Sequence, residues 1–252
     1  MMNVLKVLVF LLPAIGLGQN TSIAFLKLAL KNAKHDTTRC NILNKMVEAE
    51  PSDSIWTKYN DQMGSIAQIN LNKNPPENLK AVFLKYLATV YNNKGYLTNE
   101  HGDMVKALKY YKKGLDLQEQ IHDKRGIATS LSNMAVIYFN QGDVTAALEN
   151  DQKALKLMET LNDHQGVATL LNNIGEIYKT QEDLENALEY YKRGLTLMMS
   201  VNDQQSVSTF LDNIGSILYK QNNLNEALEY YQKCLKVEEE IKYRYGMAFT
   251  FK

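Results

Sequence analysis

The feature that most constrains this chain is a sequence of forty residues that occurs as three tandem repeats without a gap. The copies are Gly126–Gln165, Gly166–Gln205 and Ser206–Tyr245, and about half of the positions in Asn172–Leu195 recur unchanged in Asp212–Leu235. Repeats of this length are typical of solenoid proteins, in which each unit buries its apolar face only against its neighbours. The period therefore predicts one extended domain rather than two globular ones.

The first half of each copy has the apolar spacing of a helix. In the middle copy, Val167, Leu171, Ile174 and Tyr178 recur at intervals of three and four, which places them on one helical face. Gly175 lies beside this stripe, and a glycine inside a helix costs about 1 kcal/mol relative to alanine. Its place in the repeat indicates that another helix crosses closely at that point.

A short polar turn and a second amphipathic helix complete each copy. Asp183 ends the turn and is expected to cap the next helix, because a short carboxylate accepts hydrogen bonds from free backbone N–H groups. Asp143 has the same place one copy earlier. Apolar spacing predicts the second helix over Leu184–Val201, and loops this short join antiparallel neighbours. Each copy is thus predicted to be a helical hairpin.

This pattern resembles the tetratricopeptide repeat, in the forty-residue, longer-helix variety seen in kinesin light chains and spindle-orientation adaptors. The matching residues are Leu131, Met134, Ala135, Tyr138, Gly142, Ala147 and Ala154, then Leu171, Ile174, Gly175, Tyr178, Ala187, Tyr191 and Gly194, then Leu211, Ile214, Gly215, Ala227, Tyr231 and Cys234. The resemblance implies an all-α fold, a right-handed superhelical α-solenoid of antiparallel helix hairpins. Two positions depart from the pattern: Leu218 replaces a tyrosine, and Asp151 replaces a large aromatic residue.

The chain begins with a different kind of sequence. Residues 1–18 combine Lys6, an apolar run over Val7–Leu17 and small residues before Gln19, which is typical of a secretory signal peptide cleaved near Gly18/Gln19. A cleaved signal predicts a periplasmic or secreted protein. The alternative is an uncleaved N-terminal membrane anchor. No later apolar run is long enough to predict a transmembrane helix.

Two segments precede the three copies. Residues 19–78 predict an atypical helical unit that caps the array, in which Trp56 either packs or stacks on a ligand. Residues 79–125 predict a further copy, with these residues in register: Leu84, Leu87, Ala88, Tyr91, Ala107, Tyr111 and Gly114. This alignment requires about seven extra residues in the turn around Gly95–Gly102. The insertion is either a contact site or a tolerated change of loop length.

Residues 246–252 repeat the opening of a copy and then stop. Arrays of this kind normally end in a polar capping unit. We therefore expect either a chain that is truncated relative to its relatives or an end that is covered by a partner. Self-association with a second copy of this chain is one form that such a cover could take.

Composition and motif content exclude several classes of function. The formal net charge is zero and both signs are interspersed, which argues against a nucleic-acid partner. Cys40 and Cys234 form no CxxC motif, and the four histidines lack ligand spacing. No phosphate loop, nucleophile elbow or zinc signature is present. We therefore predict no cofactor, no metal site and no catalytic residue, and we do not expect an enzyme.

The face of each first helix opposite the apolar stripe carries recurring polar residues, which we call the polar ladder. Its members are Thr129, Ser132 and Asn133, then Thr169, Asn172, Asn173 and Glu176, then Thr209, Asp212, Asn213 and Ser216. In similar repeat proteins the first helices line a concave groove, so the resemblance implies a surface for an extended peptide. Asparagine offers a donor and an acceptor together but is a poor helix former, and its recurrence favours this interpretation. The alternative is a solvated polar face copied by duplication.

Two hypotheses of function remain. The chain also resembles exported Bacteroidetes tetratricopeptide proteins, on the signal, the run Asp36-Thr37-Thr38-Arg39 and the repeated Asn-Ile-Gly. The first hypothesis is an exported, non-enzymatic scaffold that binds a protein or an extended peptide. The second is a truncated periplasmic input region of a histidine kinase, cyclase or transcription regulator whose effector domain is missing.

Overall fold

The computed structural model describes residues 23–250, with side chains as far as residue 242. The predicted signal peptide, residues 1–18, lies outside the described residues, as do residues 251 and 252. The described part of the chain contains helices and no strands. The helices are α1 Ile23–Asn32, α2 Asp36–Ala49, α3 Asp53–Leu71, α4 Glu77–Glu100, α5 Met104–Gln120, α6 Lys124–Asn140, α7 Val144–Thr160, α8 His164–Thr180, α9 Leu184–Ser200, α10 Gln204–Lys220 and α11 Leu224–Thr250.

The chain divides within α6, after residue 137, into two compact units. In the N-terminal unit, the core lies between α2, α3 and α4, and Cys40, Leu43 and Met63 are buried in it. Trp56 is buried on α3, where its indole N–H donates to Oδ1 of Asp53 at 2.7 Å. The predicted packing of Trp56 in a helical terminal unit is confirmed.

The C-terminal unit is a run of antiparallel hairpins from α7 to α11. Its core is built from the apolar stripes of α8 and α10 and from the inward faces of α9 and α11. Ile174, Tyr191 and Ile214 are fully buried there. Burying a large apolar side chain contributes about 1.5–3 kcal/mol, so the stripes seen in the sequence account for the packing of these helices.

Local sequence signals set the ends of these helices. The carboxylate of Asp143 accepts from the backbone N–H of Ala146 at 3.0 Å, and that of Asp183 accepts from Asn186 at 3.2 Å. Both predicted N-caps are therefore confirmed. The same contact recurs at the start of the first helices, where Asp163 accepts from the backbone N–H of Gly166 at 3.1 Å. A cap of this kind stabilises its helix by about 1 kcal/mol.

The copy that precedes the three repeats has no insertion in its turn, contrary to the prediction. The helix α4 continues to Glu100, and its 24 residues are seven more than the 17 of α6. The surplus lies at the N-terminal end, Glu77–Phe83. Gly95, and not Ala88, faces the tyrosine of the following helix, because a Cβ at Gly95 would lie 2.7 Å from Cε1 of Tyr111. Ala88 and Gly95 are both small residues that could face the ring of Tyr111, and only the packing of the helices shows that Gly95 does.

The last helix continues past the end of the third copy. α11 has 27 residues, and it passes without a turn through the positions that correspond to Asn162 and Asn202. Those two asparagines adopt positive φ angles of 51° and 57° where earlier copies turn. Residues 246–250, the predicted opening of a further copy, are therefore helical and continuous with α11. The predicted truncation and self-association stay predictions.

Candidate peptide-binding surface

The polar ladder is continuous between α8 and α10 in the C-terminal unit. The side-chain amide of Asn213 donates to Oδ1 of Asn172 at 2.8 Å, although these residues belong to successive first helices. Nearer the start of the same helices, the amide of Gln165 lies 3.5 Å from the hydroxyl oxygen of Ser206. The ladder positions on these two helices therefore form one polar surface rather than separate patches.

Burial divides this surface into a closed part and an open part. Three ladder residues of α8 are buried: Asn172, Asn173 and Glu176. Thr169 is half-buried. The ladder of α10 is more open: Thr209 and Asp212 are exposed, and Asn213 and Ser216 are half-buried. The face is thus neither fully solvated nor uniform, and the part accessible to another molecule lies mainly on α10.

The first ladder position has the same local structure in each copy. Its threonine hydroxyl donates to the carbonyl four residues earlier in the same helix, at 3.0–3.2 Å: Thr129 to Arg125, Thr169 to Gln165, and Thr209 to Gln205. A hydroxyl has one proton and two lone pairs. Because the proton is committed to the helix, each of these oxygens faces outward as an acceptor.

On α8, the fourth ladder position satisfies the buried tyrosine of the same hairpin. Oε2 of Glu176 accepts from the hydroxyl of Tyr191 at 2.9 Å and from Nζ of Lys179 at 2.8 Å. In the next copy, burial raises the pKa of Tyr231, and the nearby hydroxyl of Ser216 lowers it again in part. Burial, with the adjacent charge of Glu176, raises the pKa of Tyr191 far above its usual range. Glu176 therefore supports the core as well as the surface.

On α6, in the N-terminal unit, most of the ladder is buried. Ser132 and Asn133 are buried on α6, and Val136 occupies the fourth position there. Thr129 remains half-buried. Among the ladder residues of the three copies, those of α10 are consequently the most accessible.

Sequence reasoning missed a fourth set of ladder residues on α4. Thr89 donates to the carbonyl of Lys85 at 3.1 Å, as the other ladder threonines do in their own helices. Asn93 donates to Oδ1 of Asn60 at 2.8 Å. Subtracting one repeat length from Thr129, Ser132 and Asn133 leads directly to Thr89, Asn92 and Asn93. The mistaken insertion concealed that signal.

A buried polar cluster joins α4, α5 and α6. The hydroxyl of Ser130 lies 2.7 Å from Oε1 of Gln118 and 3.0 Å from Oδ1 of Asn92. One hydroxyl proton cannot serve two carbonyl oxygens, so at least one of the amides presents its NH₂ group to Ser130. Leu170 and Met158 stand at the positions of Ser130 and Gln118 one copy later, so this polar contact is particular to the N-terminal unit.

A groove of about 690 Å³ lies away from the ladder, among α7, α8 and α9. Val167, Leu171 and Leu197 contribute its apolar lining, and the guanidinium of Arg193 lies 3.5 Å from a carboxylate oxygen of Glu159 at its rim. The rim carries both signs of charge and favours no ligand class. No group of His, Cys, Asp and Glu that could hold a metal ion occurs among the described residues.

Three family models described as tetratricopeptide repeat match residues 88–121, 126–200 and 213–240. The chain belongs to the tetratricopeptide repeat family. The first of these matches begins beyond Leu84 and Leu87, in agreement with the register in which Gly95 faces Tyr111. As a tetratricopeptide repeat protein, the chain has the all-α solenoid class that the sequence predicted. Arrays of this family generally act as scaffolds for binding other proteins.

Solved structures share the fold at low sequence identity. BtubC (BKLC) from P. vanneervenii is 17% identical with a TM-score of 0.73, over 87% of this chain and 91% of that one. A signal transduction ATPase from Pyrococcus horikoshii, described as having a tetratricopeptide repeat sensor, is 15% identical with a TM-score of 0.65, over 86% and 32%. Kinesin light chain TPR-like repeats from Podosopora anserina are 12% identical with a TM-score of 0.54, over 83% and 99%. These likenesses concern the fold alone.

A search of curated proteins found no match. Within residues 23–250, no helix of the tetratricopeptide array is both long and apolar enough to span a bilayer.

Proposed function

We propose that this tetratricopeptide repeat protein is a non-enzymatic scaffold that binds an extended protein segment along the polar ladder. The observation that carries the proposal is the hydrogen bond between Asn213 and Asn172, which makes the ladder continuous from one first helix to the next. A continuous row of amides and hydroxyls matches an extended backbone, whose N–H and C=O groups alternate along its length.

The division between buried and open ladder residues defines how such a surface works. Asn172 and Glu176 are held by internal partners and fix the spacing of α8 against its neighbours. Thr209 and Asp212 on α10 are exposed and remain available to a ligand. The ligand is therefore expected to contact mainly α10, while α8 holds α10 in position.

The binding test needs a substitution that blocks the surface without disturbing the core. Replacing Asn173 would perturb folding, because its side chain is fully buried. Thr209→Arg instead places a long side chain on the open part of the ladder. Gln232→Arg, at an exposed position of α11, is the matched control.

The probe is a set of short random peptides displayed on phage and selected against the wild-type protein. Selected peptides are then synthesised, and their affinities are measured by fluorescence anisotropy. Thr209→Arg is expected to weaken binding about tenfold, which corresponds to about 1.4 kcal/mol of lost contact. Gln232→Arg is expected to leave affinity unchanged. Equal affinities for all three proteins would reject the ladder as the binding surface.

Export is part of the same proposal. The apolar run of residues 7–17 and the small residues before Gln19 support a signal peptide that delivers the protein to the periplasm or the medium. N-terminal sequencing of protein recovered from those fractions tests this, with Gln19 expected as the first residue. An intact Met1 on membrane-bound protein would instead support the anchored alternative.

A sensory input region is the second candidate function. It is favoured by the likeness to the Pyrococcus horikoshii ATPase, whose description includes a tetratricopeptide repeat sensor. Reading the genomic sequence downstream of the codon for Lys252 tests this alternative. A continuation that encodes a membrane span and an effector domain would favour the sensor over the free-standing scaffold.

A further inference from the structure

The polar ladder carries no basic residue. Its positions on α8 and α10 hold threonine, asparagine, serine and the two acidic residues Glu176 and Asp212. The corresponding positions on α4 and α6 likewise hold no lysine or arginine. A ligand carboxylate or phosphate would find no cation among the ladder side chains, so the chemistry of the surface favours the opposite sign of charge.

The two acidic residues differ in their surroundings. Glu176 is neutralised inside the protein, since its carboxylate lies 2.8 Å from Nζ of Lys179 and also accepts from Tyr191. Asp212 is exposed and has neither a salt bridge nor a hydrogen bond to any residue whose side chain the structure describes. Among the side chains as far as residue 242, Asp212 therefore has no cationic partner, and it lies on the most accessible part of the ladder.

The lysines of the two first helices that carry this surface, one on α8 and one on α10, are already paired. Nζ of Lys179 is bound to Glu176, and Nζ of Lys220, at the end of α10, lies 3.1 Å from a carboxylate oxygen of Glu182. The equivalent of Asp212 one repeat earlier is the neutral Asn172. The negative charge is thus particular to this copy and is not a repeated feature of the array.

Thr209 lies one helical turn before Asp212, and residues three apart share a helix face. Its hydroxyl proton is donated to the carbonyl of Gln205, so its oxygen can only accept a further hydrogen bond. A carboxylate and an acceptor oxygen on one face match an ammonium or guanidinium group, which has several donors and no acceptor.

We propose that Asp212 pairs with a basic side chain of the bound segment, so that this protein selects extended peptides rich in lysine or arginine and rejects acidic ones. The inference rests on the proposed function, since it names the ligand class for the same surface. The inference makes Asp212 a specificity-determining residue on a surface whose other proposed contacts are hydrogen bonds to the peptide backbone.

The test repeats the random-peptide selection with wild-type protein and with Asp212→Asn. Glu229→Gln, at an exposed position of α11, is the control because it makes the same change in net charge outside the ladder. Wild-type selections are expected to be enriched in lysine and arginine. Synthesised basic peptides are expected to bind Asp212→Asn about two- to fivefold more weakly, and Glu229→Gln equally well. The difference is expected to shrink with added salt, because the Debye length falls from about 10 Å at 0.1 M to about 3 Å at 1 M.

Three outcomes would overturn the inference, and they separate it from the proposed function. Selection of neutral or acidic peptides would show that the surface does not prefer basic ligands. If basic peptides bind Asp212→Asn as tightly as wild type, Asp212 does not take part in recognition. If the same peptides bind Thr209→Arg more weakly, the ladder is still the binding surface. If Thr209→Arg does not weaken the binding of the selected peptides, the ladder is not the binding surface, and both proposals fail together.

Discussion

The ring of Tyr191 lies directly against the backbone of Gly175, and a Cβ added to that glycine would be 2.6 Å from Cε1 of the ring. The pairs Gly95–Tyr111 and Gly215–Tyr231 have the same arrangement, with distances of 2.7 and 2.8 Å. The close crossing that the recurring glycine predicted is therefore the contact of a tyrosine with the first helix of its own hairpin. The remaining copy has alanine and aspartate at the two positions, so it lacks the large ring and the glycine together.

This contact predicts that Gly175→Ala destabilises the protein, although alanine is the better helix former by about 1 kcal/mol. The added methyl group must displace the buried ring of Tyr191, and overpacking of this kind costs about 1–3 kcal/mol. Urea unfolding monitored by circular dichroism measures the effect. In a Tyr191→Leu background the ring is absent, and the same glycine substitution is expected to become neutral or stabilising. A stabilised Gly175→Ala in the wild-type background would contradict the packing argument.

The polar cluster around Ser130 predicts strong coupling between two substitutions. Ser130→Leu alone leaves the amide of Gln118 buried without its partner, at a cost of about 1–3 kcal/mol. Gln118→Met alone removes a partner of Ser130. The double variant reproduces the apolar pair Leu170 and Met158 of the next repeat, and is expected to be less destabilised than the sum of the two single variants. A double-mutant cycle of unfolding free energies checks this, with about 0.5–3 kcal/mol of coupling expected. Additive free energies would mean that the cluster is not a unit.

The turn before α9 predicts a stabilising substitution. Glu182 has a φ of 59°, where Gly142 stands one copy earlier with a φ of 82°. A left-handed conformation costs a residue other than glycine about 1–2 kcal/mol. Glu182→Gly removes that strain. It also loses an exposed ion pair with Lys220, worth about 0–1 kcal/mol. The glycine makes the unfolded chain more flexible as well, which offsets part of the gain in stability. We expect a net gain of up to about 1 kcal/mol in urea unfolding. Lys220→Met, made in both backgrounds, separates the ion pair from the backbone effect.

Cys40 predicts a loss of stability in mild alkali. Burial, with a smaller effect of Asp36, raises the pKa of its thiol from 9.0 to about 12. The unfolded chain therefore releases this proton at lower pH than the folded chain does, so stability falls as the pH rises above 9. One proton corresponds to about 1.4 kcal/mol per pH unit. Between pH 8 and 10 the unfolded thiol releases about half a proton on average, so in urea unfolding the pH slope of the unfolding free energy should be shallower by about 0.7 kcal/mol per pH unit in Cys40→Ala. Comparing the two proteins cancels the contribution of the tyrosines. An unchanged slope would contradict the assigned burial of the thiol.

Much of this fold is determined locally, and for that reason the sequence alone was sufficient to predict it. Helix ends at Asp143 and Asp183 depend on a side chain and the backbone a few residues away, and these contacts formed as expected. Period and apolar spacing fix which residues share a helix face, and hence the ladder positions.

Tertiary packing decided the rest, because it depends on which neighbour covers each helix. Ala88 and Gly95 are both small residues at which a helix can approach closely, and only the position of Tyr111 shows that Gly95 is the residue in register. Asn172 and Asp212 hold the same place in their repeats, yet one is buried and bonded to Asn213 while the other is open to solvent. A repeat pattern specifies the direction in which a side chain points, but the surrounding helices determine whether water or another molecule can reach it.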